Sequence, residues 1–79
     1  MERLINDIID NSKNIKYPFE FIAPSKNKYI IFNIDKHFIT FKSGLLSKKE
    51  KCNIDFWSRP FLEDLLKRIQ DVKYDNNNR

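Results

Sequence analysis

The side chains best suited to covalent chemistry in this sequence are one thiol and one imidazole, Cys52 and His37. A cysteine nucleophile needs a base within hydrogen-bond reach and donors for the developing oxyanion. The two residues fall in separate predicted elements, His37 beside a turn and Cys52 after a lysine-rich connection. A lone cysteine in this setting is more typical of a small buried hydrophobic residue. We therefore predict that the chain is not an enzyme and has no catalytic residues.

Metal and cofactor sites are also not indicated by the residue types present. A zinc site needs several His, Cys, Asp or Glu residues at ligand spacing, and the carboxylates here are scattered singly. That scatter also lacks the carboxylate pair of a glycosidase or a nuclease. Gly44 is the single glycine, so neither a P-loop nor a dinucleotide-binding fingerprint can be written. We expect no metal and no cofactor.

Positive charge is concentrated in the middle of the chain. The net charge is +4 overall, and residues 25–51 alone carry seven lysines against Asp35 and Glu50, a local charge of +5. Such a basic region attracts phosphate or an acidic protein surface. Lysines on exposed strands also protect sheet edges and keep a domain soluble. Both interpretations stay open at this point.

The hydrophobic pattern predicts one α+β domain over residues 1–74, followed by a disordered tail at residues 75–79. A helix over residues 2–11 has its apolar residues on one face. Period-two alternation predicts strands at residues 17–23, 28–34, 37–42 and, less regularly, 52–56. The expected architecture is an N-terminal helix, a three- to four-stranded antiparallel meander and a C-terminal helix, with the helices packed on one sheet face.

The start of the C-terminal helix has the usual chemical signals. Ser58 can cap the helix, and Pro60 suits the first turn. Trp57 is placed to pack on the first turn as a hydrophobic staple. The apolar stripe of this helix consists of Phe61, Leu62, Leu65, Leu66, Ile69 and Val72.

The β-hairpin around residues 29–42 is the most informative element. If Asp35 and Lys36 form a two-residue turn, one face is a clean core face, made of Ile30, Phe32, Ile34, Ile39 and Phe41. The opposite face then carries three large apolar side chains, Tyr29, Ile31 and Phe38, with Lys28, Lys36 and Lys42 at its margins. A solvated sheet face is normally polar, so this apolar face indicates a contact surface. A longer loop would change the register and these pairs.

The leading functional hypothesis is a small protein-binding modulator of a host protein or protein complex. Its predicted partner-binding residues are Tyr29, Ile31, Phe38, Lys28, Lys36 and Lys42. The first alternative is a nucleic-acid-binding module that uses the basic hairpin and the loop at residues 48–51. Its predicted phosphate contacts are Lys48, Lys49 and Lys51. The second alternative is a structural homodimer built through the exposed sheet face.

Two resemblances bear on these hypotheses. The order α-β-β-β-α with Ser47-Lys48-Lys49-Glu50-Lys51 after the third strand is similar to the double-stranded-RNA-binding domain, where a Ser-Lys-Lys stretch opens the second helix and contacts phosphate. The sequence departs from that family at Asn53-Ile54-Asp55 and Pro60, which interrupt the helix. In its general make-up the chain resembles the small α+β inhibitors that phages and mobile elements direct at host factors, including anti-CRISPR proteins.

The compartment expected from the sequence is the cytoplasm, or the host-cell cytoplasm for a viral protein. The first seven residues include acidic side chains and no long apolar run, unlike a secretory signal. No apolar stretch approaches the ~20 residues that cross a bilayer, so we expect no membrane partner. A single cysteine cannot form an internal disulfide.

Overall fold

The structure, a computed structural model, describes residues 2–44 and 48–77, with side chains described as far as residue 75. The four strands form one antiparallel sheet in the order β1-β2-β3-β4. This confirms the predicted α+β fold of a helix, a meander and a second helix. The elements in chain order are α1 (Glu2–Asn11), β1 (Phe19–Ile22), β2 (Lys28–Asp35), β3 (Phe38–Ser43), β4 (Glu50–Asn53), a turn of 3₁₀ helix (Ile54–Phe56) and α2 (Arg59–Asn77).

The hydrophobic core lies between the two helices and one face of the sheet. Both helices bury their apolar stripes in the same cluster as the strands, so they cover the same sheet face. The fully buried side chains come from both layers, which is the arrangement that a small two-layer domain needs to exclude water. They are Ile8, Ile31, Ile39, Ile54, Leu62, Leu65 and Ile69.

The end of α1 is held by two hydrogen bonds, one of them from the segment that leads into β1. The Ser12 hydroxyl donates to the carbonyl of Ile9 at 2.8 Å, and the Tyr17 hydroxyl donates to the carbonyl of Ser12 at 3.0 Å. Burial raises the pKa of the Tyr17 hydroxyl, which therefore stays neutral and keeps its donor proton at physiological pH.

The predicted start of the second helix is confirmed. The Ser58 hydroxyl accepts a hydrogen bond from the backbone N–H of Phe61 at 3.4 Å. The Trp57 ring stacks on Phe61 with centroids 4.2 Å apart and planes 10° apart. The staple and the cap together fix the direction in which the chain enters α2.

The fourth strand and the end of the second helix differ most from the sequence-based prediction. The fourth strand comes earlier, at Glu50–Asn53, because residues 54–56 turn into a 3₁₀ helix. That strand occupies the place where the resemblance to the double-stranded-RNA-binding domain requires a helix, so the arrangement of that family is not present; Ser47 lies outside the described residues. α2 continues to Asn77 through the first part of the predicted tail, and residues 78–79 lie outside the described range.

The register of the hairpin also differs from the prediction. Lys36 and His37 form the turn, with Lys36 at a left-handed φ of 53°, and Ile34 pairs with Ile39. Between Ile31 and Asn33 the strand contains a β-bulge, because Ile31 pairs with Phe41 while Asn33 pairs with Thr40. The extra residue reverses the alternation, so that Ile31 and Tyr29, not Ile30 and Phe32, face the core. Ile34, Ile39 and Phe41 are buried as predicted.

This register predicts unequal effects of two neighbouring substitutions. Ile31→Ala should lower the free energy of unfolding by about 2–5 kcal/mol, because Ile31 is 0% exposed and its removal leaves a cavity. Ile30→Ala should cost about 1 kcal/mol or less, because this half-buried side chain lies on the solvent side. Urea denaturation measures both values. A larger loss for Ile30 than for Ile31 would favour the register predicted from the sequence.

Candidate functional site

The candidate site is the sheet face turned away from the helices, which we call the outer face. In β1 the buried residues are Phe19 and Phe21, so Glu20 and Ile22 point outwards. The pairing of Ile30 with Glu20 on one side and Lys42 on the other extends this face across β2 and β3.

Large apolar side chains lie on this outer face. Ile22 is 64% exposed and Phe38 is 41% exposed, while Ile30 and Phe32 are half-buried. They lie on three neighbouring strands as a diagonal band, which we call the apolar patch. Ile22 and Phe38 are at its two ends, because Ile22 pairs with Lys28 and Phe38 pairs with Asp35, roughly 23 Å apart along β2. Patches of this kind on a small domain often mark a contact surface.

Two lysines from the β4 segment lie against the aromatic rings of this patch. The Lys49 Nζ atom is 4.3 Å from the centroid of the Phe32 ring, and the Lys51 Nζ atom is 4.9 Å from that of Phe38. Both distances are in the range of cation–π contacts. The aliphatic stems of these lysines shield part of each ring, and their charges are held at the patch.

The electrostatic character of the outer face is basic. Lys28, Lys42, Lys49 and Lys51 lie on this face against two carboxylates. These are Asp35, which pairs with Phe38, and Glu20, which forms a 3.1 Å salt bridge with Lys28. Both partners of that ion pair are exposed, so it contributes little to stability. Its effect is to neutralise one lysine at the β1 end and leave the excess positive charge towards β4.

Among the residues predicted to bind a partner, Phe38, Lys28 and Lys42 lie on the outer face. Lys36 is exposed in the hairpin turn. The assignment of Tyr29 and Ile31 to this face is wrong, because the bulge turns both side chains to the core. The Tyr29 ring packs there against four other aromatic rings, those of Phe21, Phe41, Trp57 and Phe61.

Ile30 and Phe32 are the outer-face residues that the sequence reasoning placed in the core. Of the predicted phosphate contacts, Lys49 and Lys51 belong to the outer face, and Lys48 is exposed just before β4. Part of the positive charge of residues 25–51 therefore lies on the outer face. No glycine or proline in β2 signals the bulge that exchanged the apolar residues.

A second apolar feature lies on the helix side of β4. A groove of about 650 Å³ there is lined by residues that include Phe41, Cys52, Phe56 and Trp57. Phe56 is 71% exposed, and its ring meets Trp57 edge-on at 5.1 Å. Cys52 is a free, half-buried thiol that packs against the core and pairs with Ile39 across the strands.

Within residues 2–44 and 48–77, no three His, Cys, Asp or Glu side chains gather in a group able to hold a metal ion. In the same ranges neither helix combines the length and the apolar character that a membrane span requires.

Comparison of the chain with protein-family models, curated proteins and solved structures gives no match. A function for this protein is therefore inferred from its own surfaces.

The contact between Lys51 and Phe38 should be measurable as a coupling energy. In a double-mutant cycle of Phe38→Ala and Lys51→Ala, we expect a coupling of about 0.5–1 kcal/mol, the usual value for an exposed cation–π pair. The control cycle combines Phe38→Ala with Lys28→Ala and should be additive within about 0.5 kcal/mol, since Lys28 pairs with Glu20 instead. Equal coupling in the two cycles would contradict a specific contact.

Proposed function

We propose that this chain is a non-enzymatic protein-binding module that uses its outer face to cover an acidic, partly apolar surface of a larger protein. The observation that carries the proposal is the apolar patch with exposed Ile22 and Phe38, bordered by lysines. Protein interfaces have this composition, with apolar groups at the centre and charged groups at the rim. The patch supplies buried area, and the lysines favour an acidic partner and accelerate association with it.

The contacts on the outer face favour a protein partner over nucleic acid. Proteins that bind single strands stack bases on open aromatic rings. Here the Lys49 and Lys51 ammonium groups lie over the Phe32 and Phe38 rings, where a base would have to stack. The other apolar groups of the patch, Ile22 and Ile30, are aliphatic and offer no stacking surface.

The proposed mode of action is occlusion. A module that binds through one sheet face acts by occupying a surface that its partner needs for another interaction. The particular role that we propose is inhibition of a host factor, with the protein encoded by a phage or a mobile element. The small α+β make-up of the chain is typical of such inhibitors.

The proposal predicts that apolar side chains of the outer face dominate affinity for the partner. Wild-type protein would be cross-linked in extract of its natural source, and the captured protein identified, purified and titrated by calorimetry. Ile22→Ala combined with Phe38→Ala should weaken binding about tenfold or more, because two large exposed apolar side chains are removed from the interface. Tyr74→Ala is the matched control, because Tyr74 is a comparably exposed aromatic residue, at 66%, on α2.

The same variants separate the alternative functions. Unchanged affinity of the double variant for the partner would overturn the proposal. Salt-sensitive binding of wild type to single- or double-stranded oligonucleotides, lost in Lys49→Glu with Lys51→Glu, would favour the nucleic-acid module instead. A doubled mass in light scattering that Phe38→Lys reduces to the monomer mass would favour the homodimer.

A further inference from the structure

The two edges of the sheet differ in how their backbone groups are satisfied. At the β1 edge, the N–H of Ala23 donates to the carbonyl of Asn27, so these two residues form a hydrogen-bonded pair. Along two antiparallel strands, hydrogen-bonded pairs alternate with pairs that are not hydrogen-bonded. Glu20 and Ile22 belong to the pairs that are not hydrogen-bonded, so their N–H and C=O groups point away from β2. The Arg68 Nε atom of α2 donates to the Glu20 carbonyl at 2.7 Å. A side chain of α2 thus binds one of the outward carbonyls of this edge.

The β4 edge shows the same alternation of hydrogen-bonded and outward-pointing backbone groups, but no described side chain of α2 is bound to it. The N–H of Ile54 donates to the carbonyl of His37, so Glu50 and Cys52 are the residues that bond to β3. The N–H and C=O groups of Lys51 and Asn53 therefore point outwards. The Asn53 carbonyl accepts the first hydrogen bond of the 3₁₀ turn, as the carbonyl of an N-cap residue does. Both groups of Lys51 and the N–H of Asn53 have no partner among the described loops, caps and side chains. Such an edge can pair with another strand.

The side chains on the two sides of this edge have opposite character. On the outer face Lys49 and Lys51 supply positive charge. On the helix side lies the apolar groove with Cys52, Phe56 and Trp57. A strand added at this edge would direct alternate side chains to the lysines and to the groove.

We propose that the partner contributes an extended segment of alternating acidic and apolar residues, which adds to β4 as a fifth strand. This inference rests on the proposed function and specifies how the partner is held. Main-chain hydrogen bonds to both backbone groups of Lys51 and to the N–H of Asn53 supply the pairing, and the alternate side chains supply the selectivity. The segment is apolar on the groove side, because Phe41, Phe56 and Trp57 line the groove and its charged lining residues, Glu50 and Lys51, offset each other.

Charge complementarity selects this occupant over a second copy of the chain. Antiparallel pairing of two β4 strands would bring the lysines of both copies onto the same face of a short ladder. Like charges across neighbouring strands destabilise the pairing. An acidic segment instead neutralises Lys49 and Lys51.

The direct test uses a short capped peptide in which glutamate and valine alternate. Amide hydrogen exchange of the wild-type protein, read by NMR, should slow at Lys51 and Asn53 when this peptide is added, because new hydrogen bonds form there. The amides of Glu20 and Ile22 at the other edge should not change. A lysine–valine alternating peptide is the control and should give no protection. Absence of protection at β4, or equal protection by both peptides, would overturn the proposal.

Edge variants test whether the backbone itself makes the contact. Lys51→Pro removes the outward N–H, which β3 does not use, and should weaken peptide binding about tenfold. Lys51→Ala keeps the N–H and should weaken it only a few-fold. Glu20→Pro makes the same backbone change at the β1 edge and should bind the peptide as Glu20→Ala does, because both variants lose the carboxylate that pairs with Lys28 and only the first loses an N–H. Equal losses for Lys51→Pro and Lys51→Ala would mean that charge alone is recognised.

The natural partner distinguishes failure of this inference from failure of the proposed function. If Lys51→Pro keeps partner affinity while the Ile22→Ala, Phe38→Ala double variant loses it, the outer face binds and the added strand is wrong. If both variants keep it, both proposals are wrong. A concentration-dependent dimer of the wild type, abolished by Lys51→Pro, would make a second copy the occupant of this edge.

Discussion

The extra residue that β2 inserts between Ile31 and Asn33 sets which side chains this sheet buries and which it exposes. Between the bulge and the hairpin turn, Ile34 faces the helices. Between the bulge and the start of β2, Ile31 and Tyr29 face them. Phe32 is thereby placed on the solvent side under the Lys49 ammonium. The composition of the core and that of the outer face are thus consequences of the same local irregularity.

The core that results is small and partly aromatic. Tyr29 enters it as the hub of edge-to-face contacts with Phe41, Trp57 and Phe61 at centroid distances of 5.5–5.8 Å. Such pairs add about 0.5–1.5 kcal/mol each beyond the area that they bury. Trp57 links this cluster to the start of α2 through its stack on Phe61. The side chains that close the core also form the wall of the groove beside β4.

The basic residues have two consequences that follow from where the strands place them. Lysines on an edge strand discourage pairing with like-charged strands, which keeps a small sheet from aggregating. The same lysines, held against Phe32 and Phe38, create a surface that attracts acidic groups. At the β1 edge Arg68 binds the outward carbonyl of Glu20, so its side chain lies where a pairing strand would bind. Among the described residues, β4 is therefore the less obstructed edge for a strand that this charge attracts.

Sequence periodicity by itself determined the helices, the meander, the start of α2 at Ser58, and the core positions of Ile39 and Phe41. Those features depend on local spacing and capping, which nearby residues specify. Periodicity also indicated an apolar outer face and assigned Phe38 to it correctly. Only the tertiary structure decided that Ile30 and Phe32, not Tyr29 and Ile31, share that face. The strand pairing creates the bulge, and β2 has large apolar side chains on both of its faces, so its sequence fits either orientation. The contrast between the two sheet edges was also decided by the tertiary structure, since Arg68 lies 48 residues from Glu20 in the chain.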